Sequence, residues 1–280
     1  LEIHMGTHNK YPLADLSIAQ AAIGVNVVCA KYLVSTTSIP ILFLLLLRFS
    51  CSTLLLFFLC KIGKKPIKQN LQGQKLSLQD YISISLQGIC GGFLFNIFML
   101  NALKFTDASS AGIISSTTPA MIAILSVWLL NETLSIKKTI TIALAIFGVI
   151  FMHLGEVGDS NAISNIWGNL LVLLAVVPEA MFTIIAKKHR TSMHPLVTAT
   201  LSNLINVILL LPISIGLIPT IAKLHITLFN WSLIILMVLS SIVFFVYWYK
   251  GLPHVTGSSA ALTTAIAPIS ITLLAILFLG

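Results

Sequence analysis

Charged residues are scarce in this chain. Asp, Glu, Lys and Arg make up 9% of its 280 residues and hydrophobic residues make up 57%, whereas soluble domains carry about 25% charged residues. Apolar runs close to the roughly 20 residues that cross a bilayer recur along the whole length. The scarcity of charge excludes a water-soluble domain, and the recurring apolar runs predict an all-α polytopic membrane protein.

Cysteine is also sparse, and the residue patterns of common active sites are missing. The four cysteines lie in apolar runs and form no CxxC pair, which argues against a disulfide framework or a metal site. No nucleophile triad and no phosphate loop is visible, so we expect neither an enzyme nor a cofactor. The net charge of +8 comes from bases in short loops between apolar runs, which does not indicate nucleic-acid binding. The N-terminus lacks an apolar run ending in a cleavage site, so no removed signal peptide is expected.

One segment of the chain occurs twice. Residues 103–130 align without a gap with residues 252–279. Identical residues fall at corresponding positions: Leu103 and Leu252, Ser110 and Ser259, Pro119 and Pro268, Leu130 and Leu279. A repeat of this kind indicates a duplicated unit, which in so apolar a chain suggests a membrane carrier.

Nine apolar spans are bounded by Pro, Gly, Lys or Asn signals. They lie near 13–31, 40–60, 81–103, 108–130, 137–154, 165–186, 195–218, 230–249 and 254–279. We therefore predict a five-helix repeat over 13–154 and a second repeat over 165–280 that lacks its last helix in this chain. The lysine-rich loop after the second span places the N-terminus in the cytoplasm, and an odd number of helices per repeat makes the second copy inverted.

Glu179 is the sharpest functional signal. It lies about two turns or more before the basic end of its span, well inside the apolar slab. An unpaired charge there is costly, so such a residue is a functional candidate by default. The alternative is a protonated carboxyl group bonded to a neighbouring helix.

Arg48 is the other charge within a span. Three placements are open for it: reaching the outer interface, pairing with Glu179, or holding backbone carbonyl groups of a neighbouring helix. We favour a structural clamp over substrate contact.

Polar and aromatic residues form a second group of candidates. The repeated helix contains many small polar side chains. Close helix packing explains most of these positions, and the remaining ones would face substrate. Its prolines are candidates for helix bending, because proline removes a backbone hydrogen bond. Three glycines of the third span precede an aromatic residue and an asparagine. These glycines suit a substrate cavity or close helix packing equally well. Besides Glu179, the substrate-binding candidates are Asn26, Phe95, Asn96, Ser116, Thr117, Thr183, Tyr247, Trp248 and Thr264, and the gating candidates are Pro119 and Pro268.

Several of these features together resemble a known family. Arg48 within Leu-Leu-Arg-Phe, the segment 101–109, Pro119 in a helix ending at Asn131-Glu132-Thr133, and the repeat at 258–280 look like the EamA family of the drug/metabolite transporter superfamily. The resemblance implies ten helices in two inverted five-helix repeats and a bacterial inner-membrane location. It also implies a central cavity lined by helices 1, 3, 4, 6, 8 and 9, and outward movement of small metabolites, often amino acids.

The pattern Glu179, Thr183 and Lys187 is in addition similar to the first helix of the small multidrug resistance branch. There, a membrane glutamate exchanges protons for a cationic substrate. We therefore expect a secondary transporter of an amino acid or a related amine, working by alternating access with protons as a hypothetical coupling ion. A multidrug cation carrier and a channel are the alternatives. A monomer in the lipid bilayer is compatible with the sequence.

Overall fold

The structure, a computed structural model, is almost entirely helical in the part of the chain that it describes. That part comprises residues 10–37, 39–67, 69, 73–102, 105, 114–137, 139–140, 142–144, 147, 151, 166–188, 193–217 and 226–279. Within these ranges the only β pairing is an isolated bridge between Gln69 and Lys75. Seven helices in them are long and apolar enough to cross a membrane, and one further apolar helix is shorter. The predicted all-α polytopic membrane fold is confirmed.

We number the described α-helices in chain order. They are α1 (Pro12–Thr36), α2 (Ile41–Ile62), α3 (Leu78–Gly88), α4 (Phe95–Ala102), α5 (Thr118–Leu130), α6 (Ile166–Lys188), α7 (Pro195–Ile215), α8 (Leu228–Gly251), α9 (Gly257–Thr264) and α10 (Ile266–Leu279). A π-helical segment, Ile89–Leu94, joins α3 to α4, and a short 3-10 helix, Leu252–His254, follows α8. The predicted span 137–154 lies mostly outside the described residues.

The helices are apolar on their outward faces as well as on their packed ones. Large side chains such as Trp128, Leu228 and Phe278 are exposed on the surface of the bundle. A helix that is hydrophobic all round belongs in a core or in a membrane, because it has no polar face to turn to water. These outward faces therefore suit contact with lipid tails.

Helix packing follows a reciprocal pattern. α1 packs along α8, while α6 packs along α3 and α4; α1 also packs on α10, while α6 packs on α5. α2 packs along α7. Each contact thus has a counterpart when helices of the first half are exchanged for those of the second. Two repeats of one unit would produce such paired contacts. The repeat boundaries 13–154 and 165–280 stay a prediction.

The duplicated helix differs from the expected continuous span. α5 begins at Thr118 after a turn at Ser116 and Thr117, and Pro119 stands in its first turn. In the second copy α9 ends at Thr264, and α10 begins at Ile266 with Pro268 two residues later. Proline lacks an amide N–H and its ring clashes with the carbonyl four residues earlier, so the helix is broken just before each proline. In the second copy only Ala265 interrupts the helix, its backbone stays right-handed, and Gly257–Phe278 is long enough to cross a membrane as one apolar span. Bending of the helices at Pro119 and Pro268 stays a prediction.

The glycines of the third span serve close packing. A Cβ atom on Gly88 would lie 3.0 Å from the side chain of Ile205, and one on Gly91 would lie 2.6 Å from the ring of Phe182. A Cβ atom on Gly92 would overlap the side-chain amide of Asn206. Of the two readings left open for these glycines, the structure favours close helix approach over a substrate cleft.

Candidate functional site

Glu179 bonds to the first residue of a broken helix. Thr118 Oγ1 donates a hydrogen bond of 3.0 Å to Glu179 Oε2, across the interface between α5 and α6. Both residues adjoin prolines, since Pro178 precedes Glu179 inside α6 and Pro119 follows Thr118. Pro178 lies inside its helix and removes one backbone hydrogen bond there, whereas Pro119 stands in a first turn, where the amide would have no helical acceptor. The structure thus gives Glu179 a neutral hydrogen-bond donor on a neighbouring helix.

Arg48 lies at a different interface from Glu179. Its Nη1 donates a hydrogen bond of 2.7 Å to Asn26 Oδ1 on α1, and its guanidinium carbon lies 4.4 Å from the ring centroid of Phe49. Asn26 Nδ2 donates in turn to the carbonyl oxygen of Met237 at 2.9 Å and to Ser240 Oγ at 3.4 Å, both on α8. Asn26 therefore links α2 to α8, and the pairing of Arg48 with Glu179 that was open from the sequence is not formed.

Trp248 belongs to a buried group of rings that we name the aromatic cluster. Its members are Phe182, Phe244, Phe245, Trp248 and Tyr249. Trp248 is 1% exposed and stacks on Phe182 with ring centroids 6.1 Å apart. Offset stacking of this kind stabilises helix contacts beyond the burial of area. The cluster joins α6 to α8.

Tyr247 and Thr183 flank the aromatic cluster. Tyr247 is partly buried, and the ammonium of Lys250 lies 5.4 Å from its ring centroid. Thr183 is 2% exposed, on the helix that carries Glu179. Contact of either residue with a substrate stays a prediction, as does substrate contact by Trp248.

Most polar candidates at the helix breaks bond to their own backbone. Thr117 Oγ1 donates to the carbonyl of Ile114 at 2.6 Å, and Thr264 Oγ1 donates to that of Ala261 at 2.7 Å. Ser116 is buried. The carbonyl of Ile114 also accepts the backbone amide of Thr117 at 3.0 Å, so the hydroxyl bond reinforces the turn there. The two hydroxyl bonds supply a local role for both threonines without deciding whether they also contact substrate.

Phe95 and Asn96 begin α4, directly after the π-helical segment. Both are partly buried, and Asn96 Nδ2 donates to the carbonyl of Gly92. A π-helical turn places its carbonyl groups out of register with the following amides, so an asparagine that caps one of them has a structural role. Substrate contact by these two residues also stays a prediction.

Residues 250–258 connect α8 to α9 and are held by three other parts of the chain; we name this segment the α8–α9 corner. Lys187 at the end of α6 donates to the carbonyl of Val255. Lys250 forms a salt bridge of 3.1 Å with Asp15 in the first turn of α1. Glu132, just beyond α5, accepts hydrogen bonds from the amides of Gly257 and Ser258 at 2.7 and 3.2 Å.

These contacts involve residues that sequence reasoning missed as site residues. Asp15 and Glu132 were not singled out, although both are acidic residues close to apolar spans. Glu132 follows Asn131, the residue that caps the C-terminal end of α5. The backbone of Asn131 is left-handed, with φ 53°. A carboxylate at the N-terminus of α9 is stabilised by the unpaired amides and by the helix dipole.

His194 caps α7 outside the membrane-spanning segments. Its Nδ1 accepts a hydrogen bond from the amide of Leu196 at 3.3 Å. Burial, and then the positive charge of Lys65, lower the pKa of His194 from its ordinary value. The neutral imidazole is therefore the form that suits the folded protein, because only an unprotonated Nδ1 accepts a hydrogen bond.

The sequence matches a known family of membrane proteins. The sequence pattern of the EamA-like transporter family matches residues 14–154 and again residues 166–280, which together cover nearly the whole chain. The chain belongs to the EamA-like transporter family. It is thus a multi-pass membrane transporter of the drug/metabolite transporter type, and the resemblance drawn from its motifs is confirmed.

Individual relatives agree with that assignment. This EamA-like transporter is 29% identical to the Bacillus subtilis uncharacterized transporter YetK, over 93% of this chain and 77% of the relative. It is 23% identical to YyaM, another uncharacterized transporter of Bacillus subtilis, over 68% of this chain and 63% of the relative. A crystal structure with 15% sequence identity superposes with a TM-score of 0.73 over 94% of this chain and 86% of the other, which supports the fold alone.

Proposed function

We propose that this EamA-like transporter moves a small metabolite with an amino or other cationic group out of the cell, across the bacterial inner membrane, by alternating access. The single observation that carries the substrate preference is Glu179, a membrane carboxyl group whose partner in the structure is the neutral hydroxyl of Thr118. A cationic group bound there would be paired instead of buried alone, and a carboxylate would be neutralised by it. Amino acids and related amines fit this requirement.

The broken helices support a transport mechanism. Discontinuous membrane helices commonly form the substrate sites of secondary transporters, because unwound backbone offers polar groups at the middle of the bilayer. Glu179 meets such a break at Thr118, and the second copy has a matching break before Ile266. The same carboxyl group would couple transport to protons. When the cationic substrate leaves, a proton would take its place and neutralise the carboxylate in the apolar interior.

The α8–α9 corner supports alternating access between two closed ends. In the predicted orientation this corner lies at the cytoplasmic end, where Lys187, Asp15 and Glu132 tie three other parts of the chain to it. Opening that end requires these contacts to break, and each is a polar contact whose groups can bond to water once that end is open. We take the structure to represent the conformation closed on that side.

The test is substrate flux in proteoliposomes that contain the purified chain. Common amino acids, and separately their decarboxylated amines, would be measured by counterflow and under an imposed pH gradient. We expect saturable flux that responds to the gradient, and loss of that response in Glu179→Gln. The matched control is Asp80→Asn, which removes a carboxylate from the exposed cap of α3. Wild-type coupling in Glu179→Gln would remove the proposed role of Glu179.

A multidrug cation carrier is the second candidate, and the aromatic cluster favours it. Phe182 lies one turn after Glu179 and stacks on Trp248, so an acidic group and aromatic rings occur close together on α6. Aromatic faces attract organic cations. Flux of tetraphenylphosphonium that competes with flux of amines would favour this candidate, whereas flux of amino acids alone would exclude it.

A further inference from the structure

Arg48 has no anionic partner in the part of the chain that the structure describes. Four carboxylates fall in that part, and each has a partner elsewhere: Asp15 in Lys250, Asp80 in Ser77, Glu132 in Ser258 and Glu179 in Thr118. The guanidinium remains charged at all physiological pH values. Its positive charge is therefore not neutralised by any of these four groups.

The hydrogen-bonding capacity of Arg48 is also incompletely used. One bond from Nη1 reaches Asn26, while Nε is buried and has no hydrogen-bond partner among the described residues. Asn26 supplies only one oxygen, and its amide nitrogen is occupied by Met237. A buried, charged donor without a partner costs free energy, so the site favours an additional acceptor with negative charge.

We propose that Arg48, positioned by Asn26, binds the carboxylate of the transported compound. This inference rests on the proposed function and narrows its substrate class from amines in general to amino acids. A guanidinium offers its N–H groups in a planar fork that matches the two oxygens of a carboxylate. The guanidinium carbon of Arg48 lies over the ring of Phe49. The N–H groups at the edge of the guanidinium lie in its plane and can donate to acceptors in that plane.

The surroundings of Arg48 suit a zwitterion with an apolar side chain. Phe49, next to Arg48, belongs to the same buried apolar group as Phe182, which lies one turn after Glu179. Arg48 and Glu179 lie on different helices, α2 and α6, each one turn or less along its helix from a member of this apolar group. Arg48 would bind the carboxylate, Glu179 would bind the ammonium, and the apolar group would lie nearest the side chain.

The second half of the chain does not repeat this arrangement. Aligning Pro40 with Pro195 places Asn203 opposite Arg48, and the amide of Asn203 bonds to the carbonyl of Ala199 in its own helix. A residue needed only to clamp helices would be expected in both halves of a duplicated fold. A single guanidinium is instead what recognition of one carboxylate requires.

The test compares each amino acid with its amide, using binding to the full-length chain in lipid nanodiscs. The amide keeps the ammonium and the side chain but has no carboxylate. We expect wild-type protein to bind the acid form more tightly than the amide, by about tenfold or more for loss of a charge-assisted bidentate contact. Arg48→Gln should abolish this preference, because it weakens binding of the acid form far more than binding of the amide, and Arg48→Lys should keep part of it.

Two further variants make the result independent of how well Arg48→Gln folds. Asn26→Asp places a carboxylate beside the guanidinium, so it should compete internally and weaken binding of the acid form more than binding of the amide. Ser52→Ala is the matched control, because Ser52 is buried one turn further along α2 and its hydroxyl has no hydrogen-bond partner among the described residues. It should leave both affinities unchanged.

Several outcomes would overturn the proposal. They are equal wild-type affinity for acid and amide, no binding of any amino acid, or an unchanged preference in Asn26→Asp. A protein that transports amines in a Glu179-dependent manner but ignores the carboxylate would retain the proposed function and lose this inference. Absence of flux for every compound would instead contradict the proposed function itself.

Discussion

Glu132 and Ser258 are in contact across 126 residues of chain: the Ser258 amide and hydroxyl each donate a hydrogen bond of 3.2 Å to Glu132 Oε2. The contact joins the end of α5 to the start of α9. Ser258 belongs to the second copy of the duplicated segment, and Glu132 follows the first copy by two residues. The contact therefore reports directly on how the halves meet.

Glu132→Ala should destabilise the protein by about 1–3 kcal/mol, because it leaves the first amides of α9 without their acceptor. Thermal unfolding in a fixed detergent would measure the loss. Glu132→Gln should lose less, since its amide oxygen still accepts hydrogen bonds. An unfolding temperature unchanged in Glu132→Ala would show that water replaces the carboxylate without cost.

Thr118→Val should impair transport more than Thr118→Ser, because valine keeps the shape of threonine but removes the hydroxyl that donates to Glu179. We expect the maximal flux to fall by about fivefold or more in Thr118→Val and to stay near the wild-type value in Thr118→Ser, which keeps the donor. Flux measured in proteoliposomes at saturating substrate would show the difference. Equal flux for the valine and serine variants would contradict the role of this hydrogen bond.

Gly91→Ala should destabilise the contact between α6 and the π-helical segment. Its Cβ atom would lie 2.6 Å from the ring of Phe182, which is itself stacked on Trp248. Overpacking of this kind costs about 1–3 kcal/mol. Gly216→Ala is the control, because a Cβ atom there would meet no atom of the described residues within 4 Å. Equal unfolding temperatures for the two variants would show that the rings move aside freely.

Stability should fall as the pH drops below about 6.5, the ordinary pKa of histidine, in part through His194. The folded state lowers the pKa of His194, so the unfolded state binds its proton first. The contribution of the neutral imidazole is fully present above the unfolded pKa and is lost as the pH falls. His194→Asn keeps a helix cap without titrating, and its unfolding temperature should depend less on pH between 7 and 5.

Much of the fold was predictable because the membrane constrains the backbone so tightly. Within a bilayer every amide and carbonyl group must be satisfied inside its own helix, so apolar runs such as 41–62 translate directly into spans. The prolines predicted an irregularity in the helices near Pro119 and Pro268. They did not predict that helices would begin at Thr118 and Ile266. Glu179 and Arg48 stood out because charge is rare in such runs.

The partners of those charged groups were not predictable. Arg48 bonds to Asn26, 22 residues away, and Glu179 bonds to Thr118, 61 residues away, while Lys187 reaches the carbonyl of Val255. Hydrophobic periodicity says little about which faces of membrane helices meet, because lipid and protein interior are equally apolar. Local chemistry along the chain accounts for which segments are helices and where they break. The choice of neighbour for each buried polar group arises from helix packing, in which glycines and broken helices permit close approach.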